Sequence, residues 1–108
     1  MENPKASEVR ALKDLKNRLV RDFKLIEIRL FGSRARGDSR PDSDMDVLIV
    51  LEDCDWRTRL AVFDACTDVG LNHGIFIAPV LYLRSEFESS LTRATDFYQN
   101  VIRESLVV

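Results

Sequence analysis

The sequence has few of the residues that build metal centres and disulfide frameworks. Its 108 residues include two cysteines and one histidine. Cys54 and Cys66 lack the spacing of a metal site and are too few for a disulfide framework, so we expect reduced thiols. With His73 as the single histidine, a centre built from several histidines is excluded. We expect His73 in a turn or on the surface.

Long apolar runs and a large excess of one charge are also missing. No run approaches the roughly 20 residues that cross a membrane, and Met1–Lys5 contains no apolar segment, so we expect a cytoplasmic protein with no membrane contact. The net charge is −2, from 16 basic and 18 acidic residues, which argues against direct nucleic-acid binding. A hydrophobic content of 45% is typical of a soluble globular protein, and the length fits one domain over residues 1–108.

Apolar patterning predicts a small α/β (α+β) domain, in which helices flank a mixed β-sheet in the order α-β-α-β-α-β-α. One of the strands contains Pro79, which cannot donate a ladder hydrogen bond, so we expect that strand at an edge or with a bulge. The predicted elements are a helix over Ser7–Phe23, a strand over Leu25–Phe31, a helical turn over Ser33–Arg36, a strand over Val47–Leu51, a helix over Trp56–Leu71, a strand over Ile75–Leu83 and a last helix capped by Ser85.

Capping residues and apolar positions refine these helices. Ser7 and Asp55 are the predicted N-caps of the first two long helices, and Ser85 with Glu88 has the spacing of a capping box. Leu60 is expected to point into the core. The apolar tail Leu106–Val108 predicts burial against the domain or a partner.

The densest chemical signal lies between two of the predicted strands. Asp44 and Asp46 stand two residues apart at the start of an apolar run, and alternate residues of a strand point to the same face. Their carboxylates would repel each other unless a cation lies between them. Paired oxygen ligands suit Mg²⁺, which binds a few carboxylates together with the phosphates of a substrate. The alternative is that both acids pair with nearby arginines at a turn.

A second signal precedes the acids by ten residues. Gly32 follows a strand directly, so the backbone can turn sharply there and approach a ligand closely. Ser33 adds a hydroxyl, and Arg34 and Arg36 add fixed positive charge. Together with the acids, this pattern indicates nucleotide chemistry. For Arg36, an internal salt bridge is an equal alternative to a phosphate contact.

The full string G-S-R-A-R-G-D-S-R-P-D-S-D-M-D-V-L-I-V resembles the signature of the polymerase-beta-like nucleotidyltransferase superfamily, and in particular its minimal nucleotidyltransferase (MNT) members. These are commonly antitoxins of HEPN/MNT toxin–antitoxin pairs. The resemblance implies a nucleotidyltransferase fold that transfers AMP from ATP, with Mg²⁺, to a tyrosine hydroxyl of a HEPN toxin. It implies catalytic and metal-binding roles for Asp44 and Asp46. It also implies nucleotide binding by Gly32, Ser33, Arg34 and Arg36.

One member of the expected site is missing from the sequence. The family commonly has a third acid on the following strand, at the place taken here by Phe76, and no Asp or Glu occurs between Asp68 and Glu86. Catalysis would then be weak, or completed by an acid from elsewhere. A second interpretation is a catalytically degenerate antitoxin that neutralises its partner by binding, and a third is a nucleotide-sensing domain. The sequence leaves open whether the chain assembles with itself or with another protein.

Overall fold

The computed structural model describes residues 5–38, 40 and 43–108, in which helices and strands alternate as far as the third strand. Short helices and a fourth strand follow. The bounds are α1 (Ala6–Asp22), β1 (Leu25–Phe31), α2 (Ser33–Arg36), β2 (Met45–Leu51), α3 (Trp56–His73), β3 (Ile77–Leu83), α4 (Arg84–Phe87), α5 (Ser90–Arg93), α6 (Asp96–Glu104) and β4 (Leu106–Val107).

The strands form one mixed sheet in the order β3-β2-β1-β4. β1 pairs antiparallel with β2 and β4, whereas β2 and β3 run parallel. β2 is therefore central and covered on both faces, which explains its continuous apolar run. This architecture confirms the predicted mixed sheet flanked by helices.

Two apolar clusters lie on opposite faces of the sheet. The larger joins β1 and β2 to α1 and α3 through Leu15, Leu19, Ile49, Val62 and Val69, among others. The smaller contains Leu48 and Val50 of β2 with Phe87 and Val101 from the C-terminal helices. Because side chains alternate along β2, Asp46 lies on the same face as Leu48 and Val50. The acidic side chain of the strand thus points to the side that α6 partly covers.

The C-terminal region differs from the single helix predicted from Ser85 and Glu88. It forms three short helices, and it is Glu86 that accepts the hydrogen bond from the Leu83 N–H, at 2.9 Å. Ser89 and Thr95 begin the next two helices by accepting hydrogen bonds from the N–H groups of Thr92 and Tyr98. Hydroxyl side chains compete with a helix for backbone donors, so these two residues divide the predicted helix. The apolar tail pairs with β1 as β4.

Smaller differences occur at the helix boundaries. Helix α1 begins before Ser7, because the Glu8 carboxylate accepts the N–H of Lys5 at 2.7 Å. Leu60, predicted to be inward, is 53% exposed. The expected N-cap of α3 is confirmed, since Asp55 accepts the Thr58 N–H at 2.8 Å. The helix continues past the predicted end at Leu71, so His73 is its last residue and Gly74, with φ 67°, ends it. None of the helices within the described ranges is long and apolar enough to cross a membrane.

Candidate active site

The turn after β1 lies directly against the acid of β2. The antiparallel register pairs Phe31 with Asp46, so Gly32 follows at the position next to that carboxylate. Gly32 has φ 74° and ψ −156°, a combination that is essentially restricted to glycine. A Cβ atom at this position would overlap the Oδ2 of Asp46 and lie 3.2 Å from its Cγ. The backbone conformation therefore requires glycine here, and any side chain would also displace the Asp46 carboxylate.

The charges of the Asp44 and Asp46 carboxylates are only partly compensated by nearby cations. Asp44 is exposed just before β2, and Asp46 is half-buried within it. Burial raises the pKa of the Asp46 carboxyl, the negative charge of Asp44 raises this pKa further, and Arg36 offsets part of the rise. Neither acid accepts a hydrogen bond or ion pair from the other described residues. Two oxygen donors in this state fit a divalent cation, which would supply the missing positive charge.

Two side chains of α2 remain accessible beside this pair. Ser33 is half-buried at the first position of the helical turn, where backbone N–H groups have no partner within the helix. Arg36 is exposed, with its guanidinium 3.3 Å from a carboxylate oxygen of Asp38 and 3.6 Å from one of Glu104. The internal salt bridges expected as one alternative thus exist. Such surface pairs are weak, so they leave Arg36 able to exchange onto a phosphate.

Arg34 does not have the position expected of a phosphate-binding residue. Its side chain is only 7% exposed and donates to the buried Glu8 carboxylate at 2.7 Å. Its Nε and second terminal nitrogen donate to the backbone carbonyl of Ser43 at 3.0 and 2.5 Å. These hydrogen bonds hold the guanidinium towards the interior of the protein. The structure therefore makes Arg34 a link between α1 and the residue before Asp44.

The loop between α2 and β2 is described only at its ends. Ser43 donates its N–H to the carbonyl of Arg40 at 3.0 Å and accepts the Arg40 N–H on its hydroxyl at 2.9 Å. The predicted turn around Ser39, Pro41 and Asp42 lies outside the described residues. Sequence reasoning did not find Glu8 as a partner of Arg34, because nothing local signals a contact between residues 26 positions apart.

The backbone of Phe76 is hydrogen-bonded to the residue that lies between the two acids. Met45, between Asp44 and Asp46, donates its N–H to the carbonyl of Phe76 at 2.8 Å, and the next residue pairs with Met45 in the parallel ladder. The Phe76 side chain is 71% exposed and so is not part of the core. Across the described parts of the chain, no group of three or more His, Cys, Asp or Glu residues could hold a metal ion. Among the described residues, the local ligands available to a cation would therefore be two carboxylates.

Comparison with known proteins identifies the class to which this site belongs. Residues 12–97 match the family model described as nucleotidyltransferase domain, which covers most of the chain. The chain belongs to this nucleotidyltransferase family.

Individual relatives agree. A Methanocaldococcus jannaschii protein named as a candidate protein adenylyltransferase is 33% identical over 105 residues, which span 94% of this chain and 98% of the relative. A second protein of the same organism and description is 33% identical over 63 residues, 57% of this chain and 64% of the relative. The family and these relatives support a transferase activity.

Solved structures share the fold. A structure described as a candidate minimal nucleotidyltransferase superposes with a TM-score of 0.67 at 24% identity, over 99% of this chain and 97% of that one. A toxin–antitoxin complex with AMP-PNP gives a TM-score of 0.61 at 22% identity, over 88% of this chain and 70% of that one. A complex of tri-AMPylated Shewanella oneidensis HEPN toxin with MNT antitoxin gives a TM-score of 0.54 at 19% identity, over 94% of this chain and 70% of that one. Together with the family match, they confirm the resemblance drawn from the signature residues.

Proposed function

We propose that the protein is a minimal nucleotidyltransferase that transfers AMP from ATP to a hydroxyl group of a partner protein, with Mg²⁺ held by Asp44 and Asp46. The observation that carries this proposal is that the Gly32 turn lies against the Asp46 carboxylate, which places the start of α2 next to two acids that share little compensating charge. The naming of both Methanocaldococcus jannaschii relatives as candidate protein adenylyltransferases supports a protein acceptor.

Each residue of the site has a distinct task in this reaction. The missing side chain of Gly32 lets the turn lie against Asp46, and the Ser33 hydroxyl and the Arg36 guanidinium bind the triphosphate oxygens beside that carboxylate. Asp44 and Asp46 supply the oxygen ligands for Mg²⁺, which neutralises charge on the phosphates and favours attack at phosphorus. The acceptor oxygen forms a bond to the α-phosphorus, and the bond from that phosphorus to the bridging oxygen of the β-phosphate breaks. Pyrophosphate leaves, and the hydroxyl proton passes to water.

We further propose that the acceptor is a HEPN-type toxin and that the modified residue is a tyrosine, which makes this chain an antitoxin. Support comes from the solved complex in which a tri-AMPylated HEPN toxin is bound to an MNT antitoxin. That complex shares only the fold with this chain, so the partner has to be tested directly.

Transfer of label from ATP tests the proposal. The protein is incubated with ATP labelled at the α-phosphate, Mg²⁺ and a HEPN-type protein from the same organism. We expect label on the partner, localised to tyrosine by mass spectrometry, and none when Asp44→Asn/Asp46→Asn replaces the wild type. A stable complex that never acquires label would contradict the transferase proposal.

That contrary result would support a second function, inhibition of the partner by binding alone. Two observations favour it. An aromatic residue, Phe76, occupies the position where the resemblance implies a third carboxylate, and its carbonyl accepts the N–H of Met45. Among the described residues, no third acid joins Asp44 and Asp46.

Phe76→Asp distinguishes the two functions. A third oxygen ligand should raise both Mg²⁺ affinity and the transfer rate, each by about tenfold if it adds about 1.4 kcal/mol. Because the Phe76 side chain is exposed, the substitution should leave the melting temperature nearly unchanged. Phe76→Asn, which adds an uncharged side chain of the same size, is the matched control. Full wild-type activity that Phe76→Asp does not improve would contradict the need for a third acid.

A further inference from the structure

A pocket of ≈ 250 Å³ opens next to the Gly32 turn, on the same face of the sheet as Asp46. The end of β1 and the first residue after it form one wall, and one side of α6 forms the other. The lining residues are Phe31, Gly32, Arg36, Phe97, Asn100, Val101 and Glu104. Binding sites for whole small molecules are commonly about 300–1,000 Å³, so this volume suits one part of a ligand whose remainder lies outside.

The walls of this pocket combine aromatic surface with a few polar groups. Phe31 and Phe97 meet edge to face, with ring centroids 5.6 Å apart, and Phe97 is still 38% exposed. Asn100 carries a side-chain amide whose oxygen accepts an exposed hydrogen bond from Arg103 at 2.7 Å. Glu104 adds a carboxylate that pairs with Arg36 at 3.6 Å. An aromatic face, an amide and a carboxylate match the three features of a nucleoside: a flat base, its polar edge and ribose hydroxyls.

The position of the pocket decides which ligand part it would hold. Gly32 and Arg36 belong both to the pocket and to the turn that faces the carboxylate pair. A nucleotide whose phosphates lie against that turn therefore has its nucleoside within reach of α6. The Glu104 carboxylate would repel phosphate groups placed deeper in the pocket, which again favours an uncharged occupant.

We propose that this pocket binds the nucleoside of the substrate nucleotide, with Phe97 stacking on the base, Asn100 recognising its edge and Glu104 accepting from the ribose. The inference rests on the proposed function, because it takes the phosphates to lie at the Gly32 turn. An Asn amide donates and accepts side by side, as the N6–N7 edge of adenine requires, whereas guanine presents two acceptors there. Asn100 is thus the residue that selects adenine over guanine.

Binding of two ligands that share their phosphates separates the nucleoside pocket from the phosphate site. Mg²⁺ with ATP and Mg²⁺ with tripolyphosphate are titrated into the full-length protein by calorimetry. We expect the wild type to bind ATP at least about tenfold more tightly than tripolyphosphate, since stacking of one base commonly contributes that much or more. Phe97→Ala and Asn100→Ala should each remove most of this difference while tripolyphosphate affinity stays the same. Asn100→Ala should also remove the preference for ATP over GTP.

Ile102→Ala is the matched control, because Ile102 is an exposed residue of the same helix that does not line the pocket. It should bind both ligands as the wild type does. Equal affinity of the wild type for ATP and tripolyphosphate, or unchanged ATP affinity in both pocket variants, would overturn the nucleoside pocket and leave the phosphate site standing. Failure of the wild type to bind either ligand would overturn the pocket together with the proposed function. Circular dichroism on Asn100→Ala, an exposed position, guards against loss of folding as the cause.

Discussion

Gly32 and Asp46 constrain each other at the level of single residues. The glycine must lack a side chain because the carboxylate fills the space beside it, and the carboxylate is partly shielded from water by the turn. This shielding raises the pKa of Asp46 and so makes the ionised form unfavourable in the folded protein. The site therefore lowers stability in the absence of a cation, as is common where charged groups are arranged for a ligand.

Replacing Asp46 by asparagine should reveal this penalty as a dependence of stability on pH. The pKa of Asp46 in the folded protein lies above its ordinary value of 3.8, so protonation of this carboxyl favours the folded state. The stabilisation from protonation is complete at pH values below 3.8. It is lost as the pH rises through the folded-state pKa. At pH 7 and without divalent cations, we therefore expect Asp46→Asn to melt at a higher temperature than the wild type, with the difference shrinking below about pH 4.

Thermal unfolding followed by circular dichroism measures this difference. Asp64→Asn, an exposed acid of α3, is the control and should change little at any pH. A lower melting temperature for Asp46→Asn at pH 7 would contradict the electrostatic description of the site.

Substitution of Arg34 should destabilise the scaffold that holds the site. Arg34→Ala would leave the buried Glu8 carboxylate without its cation, and breaking a buried pair of this kind typically costs about 3–5 kcal/mol. We expect a loss of this size in urea unfolding. The double variant Glu8→Leu/Arg34→Leu should recover part of it, because no buried charge is then left unpaired. Equal stability of Arg34→Ala and the wild type would show that the pair does not hold α1 to the residue before Asp44.

The sequence was informative about the site where the contacts are short in range. Gly32, Ser33, Asp44 and Asp46 could be selected from spacing and strand alternation, because both properties are local. The role of Arg34 could not be predicted in this way, because it depends on Glu8 and on the path of the loop to Ser43. The contribution of α6 to the pocket could not be predicted either, because the sequence indicated a single long helix instead of three short ones.

At the scale of elements, β3 shows how the fold accommodates a proline. The carbonyl of Phe76 accepts a hydrogen bond from β2, so the backbone of Phe76 faces β2. Backbone groups alternate in direction along a strand, so residue 79, an odd number of positions later, faces away from β2. Pro79 therefore presents its missing N–H to the free edge of the sheet, where no ladder bond is lost. This confirms the expectation from Pro79 that its strand lies at an edge or is bulged, and the sheet order shows that it is an edge.

Pro79 should also protect that edge from pairing with other chains. Pro79→Val restores an outward N–H in an edge strand, and such strands are templates for association. We expect the variant to self-associate in a concentration-dependent way in analytical ultracentrifugation under conditions where the wild type stays at its original mass. Ala61→Val, which adds the same side chain to an exposed helix surface, should not do so. Unchanged sedimentation of Pro79→Val at high concentration would contradict a protective role.

At the scale of the whole molecule, the candidate site lies beside apolar surface that the chain itself does not cover. Leu71 and Phe76 are each more than 70% exposed and line the same surface pocket, between the C-terminal end of α3 and the start of β3. Contiguous apolar surface of this kind commonly marks a site of protein contact. It fits an acceptor that is itself a protein and approaches the carboxylate pair from the β3 side.

The central claim is that Asp44, Asp46 and the Gly32 turn form one site for Mg²⁺ and ATP. Isothermal titration of ATP in the presence and absence of Mg²⁺, on the wild type and on Asp44→Asn/Asp46→Asn, tests it most directly. The account predicts Mg²⁺-dependent binding to the wild type and its loss in the double variant, whose circular dichroism spectrum stays that of a folded protein. The same ATP affinity in both proteins, or binding that does not depend on Mg²⁺, would contradict the claim.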